Sequence, residues 1–385
     1  MMKVKLGDVC EIVSGSTPKT GIAEYWNGDI KWITPAEINE DSIEIYDTER
    51  KITELGVEKT NLNVLPKGTV LLSSRAPIGK VAIVGEEMYC NQGFKNLICS
   101  EKIYNKYLYW FLKCNTGYLN SLGRGATFKE ISKSIVENIK IELYPIEEQK
   151  EIANTLDKIS ELISLRRQQI EKLDGLVKAR FVELFGDPET NPNGWEKVTV
   201  GDVCSSIVRG PFGSALKKDF FVEPSDTTYK VYEQKHAIQK SATIGTYYVT
   251  EEKYQELKRF ECVSGDILMS CSGTMGELYQ LPEGCERGII NQALCKFTLN
   301  DKMLPICFLT YMEQTIGNLE TKGSGIKNIA AVSYVKAMPI NLPPTSVQLE
   351  FENFCKQTDK SKLTIQQSLD KLEVLKKSLM QKYFG

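Results

Sequence analysis

Histidine is almost absent from this 385-residue chain: His236 is the only one. Any Ser-His-Asp or Cys-His system would have to be built on it, and it sits in the polar stretch QKHAIQK. The 11 cysteines include no CxxC pair. With one histidine, that excludes a zinc site of standard spacing, and the thiols read as reduced, mostly buried small hydrophobes. No GxxxxGK[ST] run is present to cradle nucleotide phosphates. Gly123-Arg124-Gly125 is a bare GxG that does not open a helix after a strand, as a dinucleotide site would. The Asn/Asp-Pro-Pro-aromatic tetrapeptide of amino-methylating DNA methyltransferases is missing; the one Pro-Pro lies in LPPT. No acidic cluster suggests a metal-dependent nuclease. The chain reads as non-catalytic, with no metal and no cofactor of its own.

Long apolar runs are missing as well. Nothing approaches the roughly 18 consecutive apolar residues of a membrane span, and the start, MMKVKLGDVCEIVSG, lacks the apolar core of a signal peptide. A cytoplasmic protein without membrane contact is expected. An excess of either charge is also lacking: the formal net charge is −2, and residues 1–145 balance 18 Lys and Arg against 18 Asp and Glu. Composition therefore gives no support for nucleic-acid binding; that depends on whether the cations gather on one face.

What the chain does have is itself, twice. LGDVC at residues 6–10 returns as VGDVC at 200–204, and GTVLLSSRAPIG at 68–79 returns as GDILMSCSGTMG at 265–276. Asn91-Gln92 returns as Asn291-Gln292, Gly123-Arg124-Gly125 as Gly323-Ser324-Gly325, and Phe185-Gly186 as Phe384-Gly385. Pro145 and Gln149 match Pro344 and Gln348. The offset stays between 194 and 200 residues, far too long for a solenoid. One module is used twice, which suits a target with two similar halves.

Each copy reads as a mixed domain followed by a long helix. Residues 30–34, 68–74 and 79–85 are short β-rich runs bounded by Gly, Pro and Asn. Residues 105–115 have helical spacing, 117–128 read as loop, and 138–144 alternate as a last strand stopped by Pro145. Beyond it Ile152, Leu156, Ile159, Ile163, Arg166, Ile170, Leu173, Val177, Arg180 and Leu184 step in alternating fours and threes, a heptad seam. Gly186-Asp187-Pro188 stops it. The second copy runs from about residue 346 to 384, with Phe351, Ile365, Leu369, Leu372 and Leu379 as firm positions and Thr358 and Lys362 weakening its middle. Some 35 residues make a rod of roughly 50 Å, longer than one domain needs. The expectation is an α+β architecture: two repeated mixed α/β domains, separated by a long antiparallel two-helix coiled-coil stalk. The boundaries are 1–145 for the first domain, 146–186 for its helix, 187–345 for the second domain and 346–385 for the second helix.

LGDVCEIVSGSTPKTG followed by AEYWNGDIKWITPAEIN resembles the start of a target-recognition domain of type I restriction-modification specificity subunits. SSRAPIGKVAIVG and CNQGFKNL are similar to that family's central strands, LYPIEEQKEIANTLDKIS to the entry of its spacer helix, and VKARFVELFGDPETNP to the exit. The resemblance covers essentially the whole chain. The second half departs from it: it lacks the EYW…W element and has PPTSVQLEF where the first has YPIEEQKEI, so the two domains should read different bases. The resemblance implies a subunit that binds double-stranded DNA at a bipartite site, one half per domain. It also implies helices that dock methyltransferase subunits, two of them, which methylate adenine at N6 with S-adenosylmethionine. A restriction and translocase subunit using ATP and Mg would complete the machine. A stand-alone DNA methyltransferase or nuclease, or a coiled-coil adaptor without DNA contact, are the alternatives.

Reading bases needs paired donors and acceptors, and positioning on phosphates needs Lys, Arg, hydroxyls and backbone N–H groups. Glycine-bearing loops with such residues give the DNA-binding candidates Arg75, Lys80, Arg124 and Thr127 in the first copy. In the second they are Lys217, Lys218, Lys235, His236, Lys322, Ser324 and Lys327. Asn91-Gln92 and Asn291-Gln292 could read adenine, but their repeated register suits a structural turn. Trp26 and Trp32 suit packing, since duplex DNA offers no open base faces. The partner-docking candidates on the helices are Ile152, Leu156, Ile163, Ile170, Leu173, Ile365, Leu369 and Leu372.

Overall fold

The computed structural model describes residues 2–39, 43–75, 77–125, 129–321 and 332–385. The chain divides into two compact units, Met1–Gln168 with Ile365–Gly385, and Gln169–Thr364. Each long helix therefore contributes a part to both, a division that differs from cutting the chain at the ends of the helices.

In the first unit the strand Met2–Lys5 pairs antiparallel with Lys140–Leu143, closing the two ends of the globular segment on each other. A five-stranded sheet runs Cys10–Ser14, Lys95–Cys99, Val70–Leu72, Val81–Val84, Glu44–Ile45, and a three-stranded sheet runs Lys51–Ile52, Trp26–Ile33, Tyr89–Cys90. Every residue of Val70–Leu72 and Val81–Val84 is buried, because the sheet is covered on both faces. Val70, Leu72, Val81 and Ile83 point into a core with the helix Asn105–Cys114, while Leu71, Ala82 and Val84 pack with Ile33 and Phe94. The two-residue period of a strand makes this division.

The second unit builds the same order. Glu196–Thr199 pairs with Pro339–Leu342, and one sheet runs Cys204–Arg209, Leu294–Leu299, Ile267–Ser270, Leu278–Gln280. The other runs Tyr248–Thr250, Thr228–Tyr232, Gly288–Ile290, Glu261–Cys262. Thr228–Tyr232 and Gly288–Ile290 are parallel, as Trp26–Ile33 and Tyr89–Cys90 are in the first. Residues 117–122, expected as loop, instead belong to the helix Thr116–Leu122. Leu119 is fully buried, and burial of that side chain outranks the loop character of Gly117 and Asn120.

The long helices are Ile146–Phe185 and Thr345–Phe384, 40 residues each. Each is docked at its start by a buried glutamine whose amide is fully used. Gln149 accepts from Tyr104 N at 2.8 Å and donates to Lys102 O at 3.0 Å and Tyr144 O at 2.8 Å. Gln348 accepts from Leu304 N at 2.8 Å and donates to Lys302 O at 2.9 Å and Pro343 O at 3.0 Å. Each helix ends on a phenylalanine set into a core. Phe384 packs on Tyr107 and Phe111 in the first unit, with ring centroids 5.2 and 6.2 Å away. Phe185 packs on Phe181 and Phe351 in the second, at 4.2 and 5.6 Å.

Within each unit the helix segments run antiparallel. In the second, Asp174 pairs with Lys362 at 2.6 Å and Arg180 with Glu350; in the first, Arg167 pairs with Glu373 at 2.9 Å while Ile152 and Leu156 share a core with Phe384. The weak middle of the second helix is thereby explained. Lys362 is ion-paired, and the buried Thr358 hydroxyl donates to Phe354 O at 2.9 Å. The same packing corrects the choice of docking residues. Ile152, Leu156, Ile163 and Leu369 are buried, and Ile170, Leu173, Ile365 and Leu372 are half-buried, since a heptad seam is consumed by the helix facing it. The apolar residues left exposed on these helices are others, Leu165, Leu176, Leu363 and Val374 among them.

Candidate nucleic-acid interface

A glycine fixes the base of one loop in each unit. A Cβ on Gly15 would overlap the Asn91 carbonyl, and one on Gly210 the Asn291 carbonyl. The strands leaving Ser14 and Arg209 are thus held against the Asn-Gln turns. The Asn side chains form those turns: Asn91 Oδ1 accepts from Gly93 N at 2.9 Å and Asn291 Oδ1 from Ala293 N at 3.0 Å. Their role is structural, and the repeated register follows from it. The neighbouring hairpin loops repeat too. Ser73 Oγ donates to Pro77 O and accepts from Lys80 N, at 2.7 and 2.8 Å, and Ser270 Oγ does the same with Thr274 O and Glu277 N at 2.7 and 2.9 Å.

In the first unit these loops join one polar rim. Thr17 Oγ1 donates to Gln92 Oε1. Ser74 N donates to Gly93 O at 2.7 Å, and Ile131 N to Ser74 O at 2.9 Å. Arg124 and Glu130 exchange two backbone hydrogen bonds, of 3.0 and 2.9 Å. Glu130, overlooked in the sequence, organises the cations: Arg75 Nε lies 3.1 Å and Lys95 Nζ 3.3 Å from its carboxylate. Arg75 and Arg124 are exposed. Arg124 also borders an open cleft of about 570 Å³ with Tyr118, Ser132, Ser134 and Asn138. Lys80 is a different case. Its ammonium donates to Pro35 O at 2.9 Å and fastens the hairpin to the turn Pro35–Glu37, so its first task is structural. Thr127 lies outside the described residues.

Tryptophans pin the first loop. Trp32, buried, donates Nε1–H to Ser16 O at 3.1 Å, and Trp26 donates to Lys19 O at 3.3 Å. The two rings meet edge to face at 5.1 Å, and the Arg50 guanidinium covers Trp26 at 4.2 Å. Packing is their role.

The second unit has the same frame with other side chains. Gln234 donates to Ser272 O and, at 3.2 Å, to Thr274 O, tying the helix Gln234–Ile238 to the hairpin loop. His236, a sequence candidate for DNA contact, is withdrawn. It is fully buried, its Nδ1 accepts from Glu233 N at 2.9 Å, and its Nε2 lies 2.7 Å from Ile244 O. It is a neutral imidazole capping its own helix, and burial holds its pKa below the ordinary 6.5. Lys235 is half-buried, 2.6 Å from Glu233 and over the Tyr247 ring. Lys217 and Lys218 are exposed and make no ion pair among the described residues. Lys322, Ser324 and Lys327 lie outside the described residues. Missed in the sequence was Arg209, whose guanidinium sits 5.1 Å over the Phe212 ring; the signal was there, in RGPFG.

The described residues hold no group of three His, Cys, Asp or Glu able to bind a metal ion, and no helix among them is long and apolar enough to cross a membrane. The model for the type I restriction modification DNA specificity domain matches this chain twice, over residues 1–174 and 192–376. The chain belongs to this family. A similar curated relative is the type I restriction enzyme MjaIX specificity subunit of Methanocaldococcus jannaschii, 39% identical over 217 residues, 52% of this chain and 50% of the relative. Another is the EcoR124I/EcoR124II specificity subunit of Escherichia coli, 27% identical over 206 residues and 49% of each chain. The alignments thus span about half the length of these relatives. Among solved structures, a chain from a study of complex assembly and conformational transition in a type I R-M system aligns over 100% of this chain and 97% of its own, with TM-score 0.67 and 18% identity. The S subunit from M. genitalium aligns over 100% and 96%, with TM-score 0.57 and 16% identity. At such identities the likeness is one of fold, and it spans both specificity domains.

Proposed function

We propose that this chain is the DNA-recognition and scaffold subunit of a type I restriction-modification complex. It reads a bipartite duplex target, one half-site per recognition domain, and carries no catalytic group of its own. The observation that carries this reading is a loop rim built twice on one frame with different side chains, in a chain whose two halves each match a DNA specificity domain. A repeated frame positions two readers; different rims let them read different bases. Residues 1–145 and 187–345 are the readers, and the spacer helices 146–186 and 346–385 form a stalk that offers its exposed apolar residues to methyltransferase subunits. S-adenosylmethionine, ATP and Mg belong to those subunits and to a restriction subunit, and the assembly works in the cytoplasm.

Titrating the chain, co-purified with its methyltransferase partner, against duplex DNA over a range of salt tests this reading. Affinity should fall steeply with salt, because each phosphate contact releases counterions. Salt-independent or absent binding would leave an adaptor without DNA contact. Methylation of DNA by the chain alone with S-adenosylmethionine would make it an enzyme instead.

A further inference from the structure

We infer that Phe212 is a base-contacting residue of the second recognition domain, packing its apolar edge on base pairs in the groove while Lys217 and Lys218 hold adjacent phosphates. This rests on the DNA-reading role proposed above and names the residue that performs it in one half of the molecule.

A lone exposed phenylalanine would mean little; this one is placed. The residue is 64% exposed. The loop base is fixed, since Gly210 lies against Asn291 and Gly210 N donates to Leu294 O at 3.0 Å. Gly213 follows at φ +69°, with open space around it, so the chain turns sharply and leaves the ring at the tip. Arg209 covers one face of the ring and also donates to Gln292 O at 3.5 Å, which joins the tip to the Asn-Gln turn. The loop then runs into the exposed Lys217 and Lys218 and, past Asp219, on to Phe220, 38% exposed; the Lys253 ammonium lies 4.1 Å from that ring and is itself ion-paired with Glu256 at 2.8 Å. Two exposed lysines lying between two exposed rings form a surface suited to a polyanion that carries apolar groups between its charges. Duplex DNA is such a partner, with thymine methyls among the base edges of its major groove. The matching loop of the first unit cannot do this. Thr17 stands there, hydrogen-bonded to Gln92, and Trp26 and Trp32 hold the neighbouring carbonyls. At this loop position the exposed aromatic belongs to the second unit.

The test uses the chain co-expressed with its methyltransferase subunits. Mapping N6-methyladenine in those cells defines the target, and fluorescence anisotropy then measures affinity for target and scrambled duplexes. Phe212→Ala should weaken target binding on the order of tenfold and leave scrambled DNA, the salt slope and thermal stability unchanged. Phe212→Leu should recover part of the loss. Uracil in place of thymine, position by position in the half-site read by the second unit, should weaken the wild type at one position and the Phe212→Ala variant at none. Lys217→Ala should weaken both duplexes alike and flatten the salt slope by about 0.9. A Phe212→Ala complex that keeps full preference for the target overturns the inference and leaves the recognition role standing. A wild-type complex without sequence preference overturns both.

Discussion

The two recognition units share a frame and differ at the rim. Gly15 and Gly210, Asn91 and Asn291, Ser73 and Ser270, Gln149 and Gln348 make the same hydrogen bonds or close approaches in both. At the rim, the first unit closes its loop with two indoles, a Thr–Gln bond and Glu130 between Arg75 and Lys95. The second leaves Phe212, Lys217 and Lys218 outward. Residues that fix the backbone answer to geometry, which is common to both units. Residues that face a ligand answer to that ligand, which is not.

The largest effects should come from the frame and be equal in the two units. Gly15→Val and Gly210→Val each force a side chain into a carbonyl that cannot retreat and should cost about 3 kcal/mol, read as a lowered unfolding midpoint. If one is tolerated, the frame is not shared. Gln149→Leu and Gln348→Leu each remove the partner of three backbone groups, one of them in a buried hydrogen bond, and should cost about 2 kcal/mol, by the same denaturation measurement. A large gap between them would mean that the helices are docked differently.

Smaller effects should separate the units. Arg124→Ala should weaken DNA binding for all sequences alike, reduce the salt slope by about 0.9 and leave stability intact; normal binding would remove Arg124 from the interface. Acid should act on the second unit alone through His236. Its pKa is lowered by burial in the folded state, so the unfolded chain takes up the proton first. The stability it contributes is complete above the ordinary value near 6.5 and is lost as pH falls below it. Hydrogen exchange between pH 7.5 and 5.5 should show the Gln234–Ile238 segment opening as the pH drops, and His236→Gln should remove that response. Equal acid sensitivity at Pro35–Glu37, where Glu37 and not a histidine takes the equivalent capping place at 2.8 Å from Thr34 N, would contradict this assignment to His236.

Much of this architecture was legible in the sequence because it depends on periodicity and spacing. The β-rich run at residues 79–85 became the buried strand Val81–Val84, the alternation at 138–144 became Lys140–Leu143, and the heptad after Pro145 became Ile146–Phe185. Repeated Asn-Gln and Gln positions were legible because identical geometry requires identical side chains. What failed was whatever depends on the other side of a contact. A heptad names the residues that pack but not what they pack on, so Ile152 and Leu156 read as docking residues from the sequence although they are buried in the first unit's core. His236 in a polar stretch looks solvated until its two backbone partners are known. Lys80 looks free until Pro35 comes alongside. Phe212 gave no signal through its type, since most phenylalanines here are buried; only its exposure singles it out.

The central claim is that two differently equipped readers on one chain address two separate half-sites. The most direct measurement is a genome-wide map of N6-methyladenine in cells carrying the chain with its methyltransferase subunits, compared with cells in which Phe212, Lys217 and Lys218 are all changed to alanine. The account predicts a bipartite motif for the wild type, and for the variant a motif whose one half is relaxed while the other half and the gap between them persist. A single contiguous motif, or a variant in which both halves degrade together, would contradict it.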